Sequence, residues 1–176
     1  MIIDSELYRA GLIGPHIWMS QERIILPGPE DLDGDFTLVG WYKEFQASVL
    51  PVRLWNLGSG FIVDIVDNGG VHQLKVHDGD IGISPDITDN LTTDGTTWTC
   101  IIIRRSGTTI STFEGKTKLS DTTISVVNYG ATIRAINSSI EVADLRVISK
   151  ALSDAAIEYY YDDVIENEGD ETHPRW

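Results

Sequence analysis

Carboxylates dominate the side chains able to do chemistry: 27 Asp plus Glu stand against 13 Lys plus Arg and four His. Hydrolysing a glycosidic bond takes two carboxyls at a fixed separation, one protonating the leaving group and the other serving as nucleophile or base. The one Glu-x-Asp spacing, Glu168-Gly169-Asp170, falls in a polar, aperiodic stretch that offers no rigid cleft. His16, His72, His77 and His173 come without a nucleophile motif around any Ser or Cys. Cys100 precedes Ile101, Ile102 and Ile103, where a thiol is expected to be a buried, inert core group. No catalytic residue is therefore assigned, and the expectation is a protein that is not an enzyme.

Two binding chemistries remain. Asp78, Asp80, Asp86, Asp89 and Asp94 crowd a loop-like stretch and could converge on a hard cation, so calcium is the one cofactor considered, although none is required. The competing explanation is that Asp is a common turn former. A second acidic run, Asp31-Leu32-Asp33-Gly34-Asp35, begins like a calcium loop. It then fails, because Phe36 stands where the motif needs Gly and Tyr42 where it needs a bidentate Glu. For a sugar, the needed kit is an aromatic ring to stack on the pyranose face and polar groups to orient hydroxyls. Trp55, Asn56, His77 and Asp78 supply it, against the ordinary expectation that a Trp in a strand packs a core.

The elements that must position these residues are mainly strands. With 22 Ile, 15 Thr and 12 Val against 8 Ala, composition favours pleated, half-buried surface over helix. Asp33-Gly34, Asn68-Gly69-Gly70, Asp78-Gly79, Asp94-Gly95, Ser106-Gly107 and Glu114-Gly115 punctuate short apolar runs at the spacing of a sandwich. Strands are predicted over 17–26, 36–44, 52–57, 61–66, 71–77, 98–105, 108–113, 124–127, 131–136 and 140–149. One segment has helical periodicity: Ile157, Tyr160, Tyr161, Val164 and Ile165 recur at i, i+3, i+4, i+7 and i+8, with Ser153 placed to cap and Asp154 in the first turn. Residues 1–16 read as an arm and 166–176 as a polar tail that a neighbouring subunit would hold.

Three blocks then resemble the laminin G-like domain of the concanavalin A-like lectin/glucanase superfamily. Asp35 to Lys43 is similar to its opening strand, and Asp94 to Arg105 with Thr109 to Gly115 is similar to its central hairpin. Ile140 to Ser153 is similar to the strand that leads into its short helix. The resemblance covers about residues 17–165 and implies an all-β, two-sheet antiparallel jelly-roll sandwich with one short C-terminal helix. It also implies where catalysis would sit, since that superfamily's retaining glucanases alternate Glu-x-Asp-x-x-Glu along one strand; no strand here carries it.

A net charge of −14 argues against nucleic acid and anionic membrane as partners. No apolar run approaches the roughly 20 residues that span a bilayer, so membrane insertion is not expected. The opening MIIDSELYRAG carries acids where an export signal has basic residues, which points to folding in a cytoplasm. The leading expectation is a non-enzymatic bacteriophage virion structural or decoration protein of tail, fibre or head. It would be assembled in the host cytoplasm, contact copies of itself or other virion proteins, and recognise a surface glycan. The alternative is a stand-alone carbohydrate-binding or adhesion module, extracellular or at the cell surface; a glycoside hydrolase ranks third.

Overall fold

Strands form where β-branched residues concentrate, and they segregate into two six-stranded antiparallel sheets. The computed structural model describes residues 17–19, 24–27, 34–43, 45, 51–57, 61–77, 87–124, 132–135 and 140–168. In spatial order the first sheet holds β1 (Ile17–Met19), β12 (Ile140–Ile148), β3 (Phe36–Lys43), β8 (Thr99–Ser106), β9 (Thr109–Glu114) and β10 (Thr117–Thr123). The second holds β2 (Ile24–Pro27), β11 (Thr132–Ala135), β4 (Val52–Asn56), β5 (Ile62–Asp67), β6 (His72–His77) and β7 (Ile87–Asn90). This is the all-β sandwich expected, with one helix among the described residues, α1 (Asp154–Glu168).

Alternation decides what lies between the sheets. Leu38, Ile101 and Ile103 of the first sheet and Val52, Val63, Ile65 and Leu74 of the second share one buried core. Each such side chain contributes roughly 1.5–3 kcal/mol by leaving water. The first sheet is also covered on its other face. Val39, Trp41, Cys100, Ile102 and Phe113 form a second cluster with Ile157 of α1. With both faces buried, β8 loses its alternation and reads as an unbroken apolar run from Cys100 to Ile103. Gly40 answers a packing need on the inner face: a Cβ there would collide with the hydroxyl end of Tyr42 and with Leu145.

The helix begins as its sequence requires. The Ala156 N–H donates to Ser153 Oγ at 3.2 Å and the Ile157 N–H to the Ser153 carbonyl at 3.0 Å. It continues past Ile165 to Glu168, taking in residues assigned above to the tail.

Two expectations are corrected. Residues 17–26 are not one strand: β1 pairs with β12 and β2 with β11, so this segment serves both sheets. β7 and β10 were not predicted, because both are edge strands whose polar outward residues (Thr88, Asn90, Lys118), with a bulge between Lys118 and the inward Ser120, mask the period-2 signal. Of the strand expected over 124–127, Ile124 lies just beyond β10; 125–127, the arm 1–16 and 169–176 lie outside the described residues.

Candidate ligand-binding cleft

Of the residues proposed above for sugar binding, the described ones, Trp55, Asn56 and His77, do not share one face. Trp55 is fully buried in the core. The reason is an irregularity between Arg53 and Trp55, which pairs Trp55 with inward-facing Val63 and turns both Leu54 and Trp55 inward. A buried ring offers no stacking face. Asn56 and His77 do come together, flanking Ile62 in one row across β4, β5 and β6 on the outer face of the second sheet. Asp78 lies outside the described residues.

Of the carboxylates proposed for calcium, the two described ones, Asp89 and Asp94, have different partners. Asp89 accepts from the hydroxyls of Thr112 and Ser120, joining β7 of one sheet to β9 and β10 of the other. Asp94 closes a turn on Thr96, accepting from its N–H at 2.9 Å and its hydroxyl at 2.7 Å. Those two bonds, the backbone one first, hold the Asp94 carboxyl below its usual range. Asp94 thus acts as a turn former, whereas Asp89 lies within β7 and bridges the sheets. Asp78, Asp80 and Asp86 lie outside the described residues, and among the described residues no cluster of three metal-ligating side chains occurs.

A different concavity, of about 460 Å³, opens where the loop before β8 meets the β9–β10 turn and the side of α1. Its lining joins the rings of Trp98 and Tyr161 to Thr92, Thr93, Thr97, Thr99 and Thr117, with Glu114 and Lys116 at the turn.

Each wall is fixed by identifiable contacts. The Glu114 carboxylate accepts from the Thr92 N–H at 2.8 Å, the Thr93 N–H at 2.9 Å and the Thr92 hydroxyl at 3.0 Å. With its oxygens thus occupied it clasps the loop and is not poised as an acid or base. Thr93 Oγ1 accepts from the Gly95 N–H at 3.1 Å and the Thr99 hydroxyl at 2.9 Å. Gly115 takes the left-handed φ of 59° that its turn requires and lets the Tyr161 ring approach to 3.0 Å from where a Cβ would stand.

The helical wall is docked by rings and charges. Tyr161 stacks on Trp41, with centroids 5.6 Å apart and planes at 15°, and Trp41 Nε1 donates to Tyr160 Oη at 3.3 Å. Lys116 Nζ pairs with Asp162 at 2.8 Å, and Lys43 Nζ sits 6.0 Å from the Trp98 ring centre. Trp98, only 3% exposed, forms floor rather than rim, while Thr92, Thr97 and Thr117 are exposed. The Thr97 and Thr117 hydroxyls have no hydrogen-bond partner among the described residues.

None of these cleft residues was proposed as a site from the sequence. The available signal was the density of threonine around Trp98, in Thr92-Thr93-Asp94-Gly95-Thr96-Thr97-Trp98-Thr99. Tyr161, 44 or more residues further along the chain than the rest of the lining, joins the cleft only through the docking of α1.

No protein-family model matches the chain, and no curated protein sequence is significantly similar to it. Solved structures share its fold. One is a structure of botulinum neurotoxin type C, whose access to cells is described as dependent upon interaction with two ganglioside molecules; it is 13% identical with a TM-score of 0.61. Two others are the binding domain of botulinum neurotoxin DC, in complex with SialylT (13%, 0.61) and with rat synaptotagmin II (13%, 0.62). Each aligns with 80% of this chain, which spans 39–40% of their length. At this identity the likeness establishes a shared β-sandwich; the laminin G-like assignment is finer than it supports.

Proposed function

We propose that the chain is a non-catalytic carbohydrate-binding module that takes the end of a surface glycan into the Trp98–Tyr161 cleft. The observation that carries this reading is the lining: the half-buried Tyr161 ring above a Trp98 floor, beside the exposed side chains of Thr92, Thr97 and Thr117, on a backbone clasped by Glu114. A pyranose presents apolar C–H faces that suit aromatic rings, and hydroxyls that need partners able both to donate and to accept, as threonine does. That the neighbouring folds are binding domains, described with gangliosides or SialylT, supports the same class of activity. The virion reading draws its support from the sequence alone. One short sugar in a cleft of this size binds weakly, so useful affinity would come from several copies acting together.

The test is a glycan array followed by calorimetry on the sugars retained. Replacing the exposed Thr97 and Thr117 together by Ala should weaken binding about tenfold, the equivalent of two modest hydrogen bonds. Thr88→Ala, on the opposite sheet, should leave it unchanged. Absence of binding to any glycan overturns the reading.

A further inference from the structure

We infer that the cleft selects an uncharged sugar and discriminates against an acidic one such as a sialylated or sulfated glycan. The inference rests on the carbohydrate reading above and names the class of sugar. Binding a carboxylate or sulfate calls for a guanidinium fork or an ammonium with charge to spare. Among the described residues no arginine lines this cleft, and the one lysine that does, Lys116, is already ion-paired with Asp162 at 2.8 Å. Lys43, held over Trp98, faces Glu141 at 3.9 Å. Among the described residues of the first sheet, Arg104 and Arg146 are engaged in docking the helix. Arg104 donates to the Leu152 carbonyl and to Asp154, and Arg146 lies 4.6 Å over the Tyr160 ring.

Carboxylates also stand around the cleft. Glu114 lines it, Asp162 borders it through Lys116, and Asp94 occupies the loop that forms one wall, ionised by its two Thr96 contacts. Over the whole chain the charge is −14, so an acidic ligand meets repulsion at long range as well as at contact. What the cleft does present is hydroxyl: exposed Thr97 and Thr117 have donor and acceptor capacity unspent, which matches a neutral sugar. Its volume of about 460 Å³ lies toward the small end of ligand sites and suits a short saccharide terminus.

The experiment compares a neutral oligosaccharide with its sialylated counterpart on the full chain by calorimetry at low and high salt, repeated with Asp162→Asn. The expected result is tighter binding of the neutral sugar by about fivefold or more, the factor one unmatched charge gives at close range in water. Its affinity should be indifferent to salt, and Asp162→Asn should narrow the ratio by removing one carboxylate that offsets the Lys116 charge. Equal or tighter binding of the sialylated sugar overturns this inference and leaves the carbohydrate reading standing. A ratio that Asp162→Asn does not move overturns the charge account of the selectivity. Failure of both sugars, and of every other glycan, overturns the carbohydrate reading itself.

Discussion

Glu114 illustrates how one side chain can set a whole wall. Its carboxylate gathers two backbone N–H groups and a hydroxyl from the segment that follows β7, so it ties a strand end of one sheet to a loop leaving the other. In Glu114→Gln the amide end can accept at one atom only, leaving a backbone donor unmatched. Urea denaturation should report a loss of about 1–2 kcal/mol, with the cleft-forming loop showing faster amide exchange. Gly40 is a purely steric case. Gly40→Ala drives a methyl into Tyr42 and Leu145 and should cost about 1–3 kcal/mol by the same measurement. Gly34→Ala, where nothing lies within 4 Å of the added carbon, serves as its control. Both residues were visible in the sequence as a turn acid and a strand glycine, but their partners are distant along the chain and no local pattern reveals them.

At the scale of elements, the decisive contact is α1 on the outer face of the first sheet. Arg104 and Lys118 both reach Asp154 in the first turn, and their bonds, that of Arg104 foremost, hold the Asp154 carboxyl below its usual range. A carboxyl whose folded pKa is depressed stabilises fully above its unfolded value, about 3.9, and gives up that contribution as pH falls through the lower folded value. Near-UV circular dichroism of the Trp41–Tyr161 stack should therefore weaken with acidification below about pH 4. Asp154→Asn should remove that limb of the curve. Asp154 is 62% exposed, so solvent screening keeps the effect at neutral pH to a few tenths of a kcal/mol. Docking rests chiefly on Ile157, Tyr160 and Tyr161 against Val39, Trp41 and Ile102. The helix itself was legible from its 3.6-residue period; which sheet face receives it was not, because Val39, Trp41, Cys100 and Ile102 read equally well as residues of a single core.

For the molecule as a whole, the helix converts a two-layer sandwich into three layers, and without it an apolar strip of the first sheet would meet water. Deletion of residues 154–176 should leave Trp41, Ile102 and Phe113 exposed. Light scattering should then show self-association of the truncated chain at concentrations where the intact chain has a constant mass. A truncated chain of unchanged mass would show that the strip is covered by other means. The same deletion removes Tyr161 from the cleft, so any glycan affinity should fall together with the integrity of the third layer.

The sequence by itself determined the class of fold and most strand positions, since β-branched composition, turn signals at regular spacing and one helical period are local properties that survive in any tertiary arrangement. It also pointed away from paired catalytic carboxylates. Tertiary structure decided the site. A single irregularity in β4 reverses the alternation and buries Trp55, which the chain alone presents as a plausible ring for stacking. Asp89 and Asp94, close neighbours in sequence, are each taken by separate hydroxyl and amide partners. The cleft brings residues 92–100, 114–117 and 161 together through sheet pairing and helix docking. Such convergence depends on long-range contacts, and those exist only once the apolar faces of two sheets and a helix have been driven out of water.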